Sequence, residues 1–158
     1  MSNPYQNQTL PSGQAAEPPL WAPYYGAPFQ AAIKRFWQKY TAFSGRASRS
    51  EYWWWVLVAG VVGIILQIIS SAGGASTGTT GATMGAGLVI GGILSLIWGL
   101  ATIVPSLALL ARRLHDVNMS AWLILIVLVP FLGALALLVL TLLPSNPAGQ
   151  RFDQPTGR

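Results

Sequence analysis

The stretch that decides the fold is FSGRASRSEYWWWVLVAGVVGIILQIIS, residues 43–70. Its first nine residues hold Arg46, Arg49 and Glu51. From Tyr52 onward there is no charge at all until Arg112, and after Asp116 none until Arg151. Charge-free windows of that length are the mark of membrane-embedded segments. Composition agrees, with 53% hydrophobic and only 8% charged residues, against about 25% charged in a typical globular domain. Such a chain cannot cover a water-facing surface, which excludes an ordinary soluble enzyme or binding domain.

Working outward, Tyr52–Ser70 gives a first span of roughly 28 Å at 1.5 Å per residue, close to a hydrocarbon core. Residues 71–85 are small, polar and glycine-rich, and read as an uncharged loop. A second span covers about 86–111, with a kink expected at Pro105. RRLHDVNMS reads as a polar turn, and a third span covers about 121–143, closed by Pro144 and Pro147. The expected fold is therefore an all-α membrane protein with three transmembrane helices. Before them, FQAAIKRFWQKY (29–40) places aromatic residues at helical spacing among Lys34, Arg35 and Lys39. It reads either as a short amphipathic N-terminal interfacial helix with a basic, anionic-lipid-facing side or, equally, as a lead-in helix packed on the bundle. Residues 1–28, with six prolines, read as a disordered tail, and 146–158 as a polar C-terminal tail.

Orientation follows from basic residues. Five precede the first span and Arg112 and Arg113 separate the second from the third, so the N-terminus and the Arg-Arg turn are expected to be cytoplasmic. Three crossings then put the C-terminus outside. Arg151 and Arg158 in that tail favour the other face, which would need a fourth crossing, but halves of 121–143 split at Pro130–Gly133 are too short to span. The net charge of +5 has this topological explanation and does not point to nucleic acid. With no cysteine there is no disulfide framework and no thiolate chemistry.

Three sets of residues carry possible function. Ser48-Arg49-Ser50-Glu51 fits a capping box, with Glu51 also facing the positive end of the helix dipole. Trp53, Trp54 and Trp55 lie about 100° apart around the helix and, with Trp122, form an interfacial girdle. Gly87, Gly91, Ser95 and Gly99 form a small-residue ladder on one face of the second span. That ladder suits packing within the chain, a homo-oligomer or a membrane-protein partner. Finally, Arg46, Arg49, Glu51, Arg112, Arg113, His115 and Asp116 share one membrane face. Pairing of Glu51 with Arg112 or Arg113, and of Asp116 with Arg46 or Arg49, would tie them into a platform. Four arginines could instead hold a phosphate or lipid headgroup. His115 and Asp116 could serve as acid and base, but no nucleophile or second metal ligand accompanies them. No ionisable group lies inside a span, which disfavours a coupled transporter.

FSGRASRSEYWWWVL, PSLALLARRLHD and SAWLILIVLVPFLGALALLVLTLLP, in this order, resemble the domain of unknown function 805 family of small bacterial inner-membrane proteins. The matching positions are Phe43, Gly45, Arg46, Arg49, Glu51, Tyr52 and Trp53; then Pro105 and Arg112 to Asp116; then Ser120 to Trp122, Pro130, Leu132 and Gly133. The ending GQRFDQP departs from the family's usual tail. The resemblance implies a multi-pass inner-membrane location and brings no catalytic residue, metal or cofactor. The reading is a non-enzymatic structural or interaction platform in contact with the lipid bilayer. Its rivals are a binder or conduit for a small anionic solute or lipid headgroup, and a lipid-modifying enzyme.

Overall fold

A computed structural model describes residues 17–72, 76–78, 81–83 and 85–153. Helix α1 spans Phe29–Gln38, α2 Arg49–Ala72, α3 Ala86–Asp116 and α4 Leu132–Leu142. Residues Ala121–Leu128 and Pro147–Phe152 form 3-10 turns. The α2–α3 connection holds an antiparallel ribbon, β1 Ser76–Gly78 against β2 Gly81–Thr83, with Ser76 opposite Thr83. The architecture is thus helical except for this ribbon, where only a flexible loop was expected.

Two helices, α2 and α3, are long and apolar enough to cross a membrane. At 24 and 31 residues they measure about 36 and 46 Å, more than a hydrocarbon core of about 30 Å. They pack on each other, and Gly91 marks a close approach: a Cβ there would lie 2.8 Å from Ser70 Cα. The ladder is therefore divided. Gly91 is an intrachain contact, while Ser95 and Gly99 face outward, and a Cβ at Gly99 or at Gly63 meets nothing. Gly87 is half-buried near the start of α3.

Pro105 sits inside α3. It has no N–H, so the carbonyl of Ala101, four residues back, loses its helical donor. Tyr40 replaces it, its hydroxyl donating to Ala101 O at 2.9 Å. Thr102 donates to Trp98 O at 2.7 Å, as expected of a hydroxyl within a span.

The expected third span is not one helix. Its 23 residues divide into the 3-10 segment and α4 around Val129–Phe131, with Phe131 at φ 61°. Pro130 cannot continue the helical hydrogen bonding, and the local amides close on the turn instead. Val129 donates to Ile126 O, Leu132 to Pro130 O and Gly133 to Val129 O. The two halves then lie against each other, which requires glycine at 133: a Cβ would sit 2.6 Å from the Ile126 carbonyl carbon. The halves are of matching length, about 16 Å each. The hairpin leaves from the end of α3 and returns to it. Asn146 donates to Asp116 O at 2.8 Å, and Arg113 donates to Thr141 O at 3.1 Å and to Leu143 O. Both ends of the segment 121–143 therefore lie at one level.

That level also holds the core, where Phe36, Ala47, Trp55 and Leu109 are buried with Ile33, Tyr52 and Trp98 against them. Phe36 stacks on Trp55 with ring centroids 3.4 Å apart. The tail expected to be disordered is ordered from residue 17: Pro23 and Ala27 are buried, and the chain is held through its backbone carbonyls. The remaining residues of that tail, 1–16, lie outside the described residues. The polar C-terminal tail is likewise packed, as far as Asp153.

Candidate functional site

The start of α2 is a capping box. Glu51 N donates to Ser48 Oγ at 3.2 Å, and Ser48 N donates to Glu51 Oε2 at 2.9 Å. Glu51 does more than cap. Its Oε2 also accepts from Tyr24 N at 3.1 Å, and its Oε1 accepts from Arg35 Nε at 2.9 Å. Lys39 Nζ stands 3.9 Å from the same oxygen. The carboxylate is buried, so each of these bonds is made in a low-dielectric setting.

Arg35 comes from the face of α1 expected to meet lipid. Its remaining N–H groups donate to the carbonyls of Pro18, Pro19 and Ala22. Prolines lack a donor but retain an acceptor, which is how a proline-rich segment can wrap a guanidinium. Lys34, one residue earlier, is exposed and reaches only Glu17 at 3.5 Å. The basic side of α1 is thus split: Lys34 points out, while Arg35 and Lys39 turn into the protein.

Asp116 forms a second centre. Its Oδ2 accepts from Arg113 Nη1 and from Ser145 Oγ, and its Oδ1 from Tyr25 Oη at 2.9 Å. Arg46 Nη1 stands 3.9 Å from Asp116 Oδ1. Arg46 itself forks onto Asp153, with Nε to Oδ1 at 2.9 Å and Nη2 to Oδ2 at 2.8 Å. Burial, and then the charge of Asp116, push the Tyr25 phenol up to about 12. The Asp153 hydrogen bond and the neighbouring negative groups raise Arg46 further, against the effect of burial.

Of the expected pairs, Asp116–Arg46 is present. Glu51 pairs with Arg35 and Lys39 rather than with Arg112 or Arg113, because α1 lies over the start of α2. Arg113 instead turns to Asp116, three residues on along the same helix. Arg49 is exposed and makes no ion pair among the described residues. The RRLHD stretch is the last part of α3, not a turn.

His115 and Asp116 point apart. His115 Nδ1 lies 3.1 Å from Gly45 O and must carry the proton, since a carbonyl only accepts. Its ring stacks on Phe152, centroids 4.1 Å apart. The C-terminal turn is locked there by Gly45 N donating to Phe152 O at 3.0 Å.

The tryptophan girdle is partial. Trp122 is 79% exposed and Trp54 38%. Trp54 Nε1 donates to Ala27 O at 3.2 Å, and half-buried Trp53 leaves its Nε1 unpartnered. Trp55 points inward and donates to Ser106 Oγ at 3.1 Å. No group of three or more His, Cys, Asp or Glu residues able to hold a metal occurs among the described residues.

Sequence reading missed Arg35, Lys39, Tyr25, Ser145 and Asp153 as members of the layer. A local signal existed for Arg35 and Lys39, which fall on the helical face of the buried Ala32 and Phe36.

Two span-length helices, capped at one end by buried carboxylate–cation networks, define a helical membrane protein. The chain belongs to the family described as Protein of unknown function (DUF805), which it matches over residues 40–154. It is 36% identical over 118 residues to inner membrane protein YhaI of Escherichia coli (strain K12), covering 73% of this chain and 86% of that protein. It is 33% identical over 121 residues to inner membrane protein YhaH of the same strain, covering 73% and 87%. No solved structure matches the chain.

Proposed function

We propose that the chain is a non-enzymatic inner-membrane protein whose ionic layer is a structural and interaction platform. On this reading α2 and α3 are its crossings, and the segment 121–143 is a re-entrant hairpin in place of a third. Each arm, about 16 Å long, reaches about the middle of a 30 Å hydrocarbon core. Backbone at that depth must satisfy its own hydrogen bonds, and at the turn the Val129, Leu132 and Gly133 amides do so, donating to Ile126 O, Pro130 O and Val129 O. Both termini then share the face of Glu51 and Asp116. Lys34, Arg35, Lys39, Arg46, Arg49, Arg112, Arg113 and Arg151 all belong to that side, which favours the cytoplasm.

The observation that carries the reading is the reach of the two carboxylates. Glu51 bonds to Tyr24, Arg35 and Ser48; Asp116 bonds to Tyr25, Arg113 and Ser145. Five segments far apart in sequence are thereby joined. Hydrogen exchange of the protein in nanodiscs tests this. Asp116→Asn should raise exchange in residues 17–28 and 144–153 together, while leaving the middle of α2 protected. Unchanged exchange in both segments would refute the platform.

A further inference from the structure

The two ends of the α2–α3 pair are built differently. At the end far from the ionic layer, glycine at 91 lets α3 come against Ser70, where a Cβ would lie 2.8 Å from Ser70 Cα. Small residues permit that closeness of backbones. Toward the ionic layer an indole stands between the helices. Trp55 reaches across from α2 to donate to Ser106 Oγ on α3 at 3.1 Å, and it stacks on Trp98 with ring centroids 5.9 Å apart. Beside it, Tyr52 and Val56 face Ile103 and Leu110 across an apolar cleft of about 300 Å³. The pair therefore opens toward the ionic layer. That end is also filled from within: α1 lays Phe36 on Trp55, and Arg112 is buried there with its Nε donating to Ala108 O at 3.1 Å.

The segment 121–143 adds bulk at the same end. Its arms leave from the ionic layer and turn back after about 16 Å, halfway through a hydrocarbon core of about 30 Å. They carry no charged residue, and their large side chains face outward. Phe131 at the turn is 90% exposed, and Leu125, Leu128, Leu132 and Leu135 are exposed along the arms. At that depth the medium that covers apolar side chains is the acyl region of one leaflet. A helix about 10–12 Å across occupies roughly 100 Å² of membrane plane. Two such sections thus enter the leaflet on the ionic side, with no counterpart in the other.

We propose that the protein is a membrane wedge, which favours bilayers whose leaflet on the ionic side is convex. Its partner surface is the acyl region of that leaflet, entered by the hairpin arms and by the open end of α2 and α3. Bulk inserted into one leaflet expands it against the other, and curvature that stretches the same leaflet relieves the mismatch; insertion into one side of a bilayer is curvature-sensitive for this reason. With the ionic layer in the cytoplasm, the protein collects where the membrane folds toward the cytoplasm. The hairpin's part in this rests on its half-depth reading; the taper of α2 and α3 does not.

Narrow tubes pulled from giant vesicles of phosphatidylcholine and phosphatidylglycerol test the proposal. They carry full-length Thr80→Cys protein, labelled with a fluorophore. A membrane-impermeant quencher outside leaves signal only from copies with residue 80 in the lumen, whose ionic layer lies in the convex outer leaflet of the tube. Their density relative to a lipid dye should be roughly twofold or more higher in the tube than on the vesicle, and should rise as the tube narrows. Leu128→Ala, Phe131→Ala and Leu132→Ala together trim exposed bulk from the hairpin and should bring the ratio down toward that of the dye. Ile90→Ala, Ile93→Ala and Leu94→Ala trim exposed bulk from the far end of α3 and should leave the ratio as high or higher. A wild-type ratio equal to that of the dye, or one undiminished by the hairpin variant, would overturn the proposal. So would two-step photobleaching that becomes single-step in the hairpin variant, since a second copy would then cover this face. In doubly labelled Lys34→Cys/Gln150→Cys protein each copy should be quenched wholly or not at all. Half-quenched copies would refute the half-depth reading itself, whereas a flat ratio with both labels on one side refutes the wedge alone.

Discussion

Glu51 offers the sharpest perturbation, because one carboxylate both caps α2 and neutralises cations from α1. Glu51→Gln keeps one acceptor oxygen of the same reach, but removes the charge and replaces the second acceptor with an NH2 donor. Glu51→Ala removes both. Losing the cap bond from Ser48 N to the Glu51 carboxylate costs about 1 kcal/mol. Breaking a buried ion pair and leaving the partner charged costs about 3–5 kcal/mol. The stranded partner is Arg35, whose other donors are engaged by Pro18, Pro19 and Ala22; it has no second carboxylate except part-exposed Glu17. Gln should therefore incur most of the loss, about 3 kcal/mol, and Ala about 1 kcal/mol more. Equilibrium unfolding in mixed detergent, followed by tryptophan fluorescence, measures both. Trp54 and Trp55 report directly, since they lie one turn beyond Glu51. Adding Arg35→Met to Glu51→Gln should restore part of the stability, as the charge is then removed rather than stranded. If Gln matched wild type while Ala lost about 1 kcal/mol, Glu51 would be a cap alone and the ionic account of this centre would be wrong.

Other outcomes follow from the same contacts. Gly133→Leu should destabilise the hairpin by about 1–3 kcal/mol through overpacking against Ile126 and Val127, read as faster exchange in residues 121–143. Gly91→Leu should cost a similar amount against Ser70. Gly99→Leu should stay within about 0.5 kcal/mol of wild type, since nothing faces it. Burial, against the pull of Glu51 and with Arg35 and Arg112 nearby, brings Lys39 down to about 8 from 10.5. Below pH 8 the buried ammonium is held charged in both folded and unfolded states, and the penalty is fully present. Stability should therefore rise between about pH 8 and 10.5 in wild type relative to Lys39→Met. Tyr25→Phe should cost about 1 kcal/mol, the worth of its bond to Asp116.

Much of this was legible in the residues themselves. The charge-free run from Tyr52 marks α2, and Ser48 with Glu51 marks its cap, because both signals are local in sequence. The polar layer could also be assembled by counting which helix ends share a face. Partner choice could not. Whether Lys34 or Arg35 turns inward depends on how α1 lies across α2. Arg113 meets Asp116 rather than Glu51 because both lie in the final turns of α3. Least legible were residues 121–143, expected as one helix and folded as two arms. Hydropathy averages over the window and cannot separate one 23-residue crossing from two arms of half that length. The distinguishing residues were Pro130, which stops the helix, and Gly133, which lets the arms touch. The ordered stretch 17–28 was missed for a related reason: proline carbonyls bind a guanidinium only when a distant arginine is brought to them.

The absence of native cysteine makes the decisive measurement simple. Single substitutions Lys34→Cys, Thr80→Cys and Gln150→Cys are labelled in intact cells with a membrane-impermeant maleimide, then again after lysis. Thr80→Cys should label in intact cells, whereas Lys34→Cys and Gln150→Cys should label only after lysis. Labelling of Gln150→Cys from outside, with Lys34→Cys protected, would mean an odd number of crossings and would contradict the re-entrant hairpin and the shared ionic face.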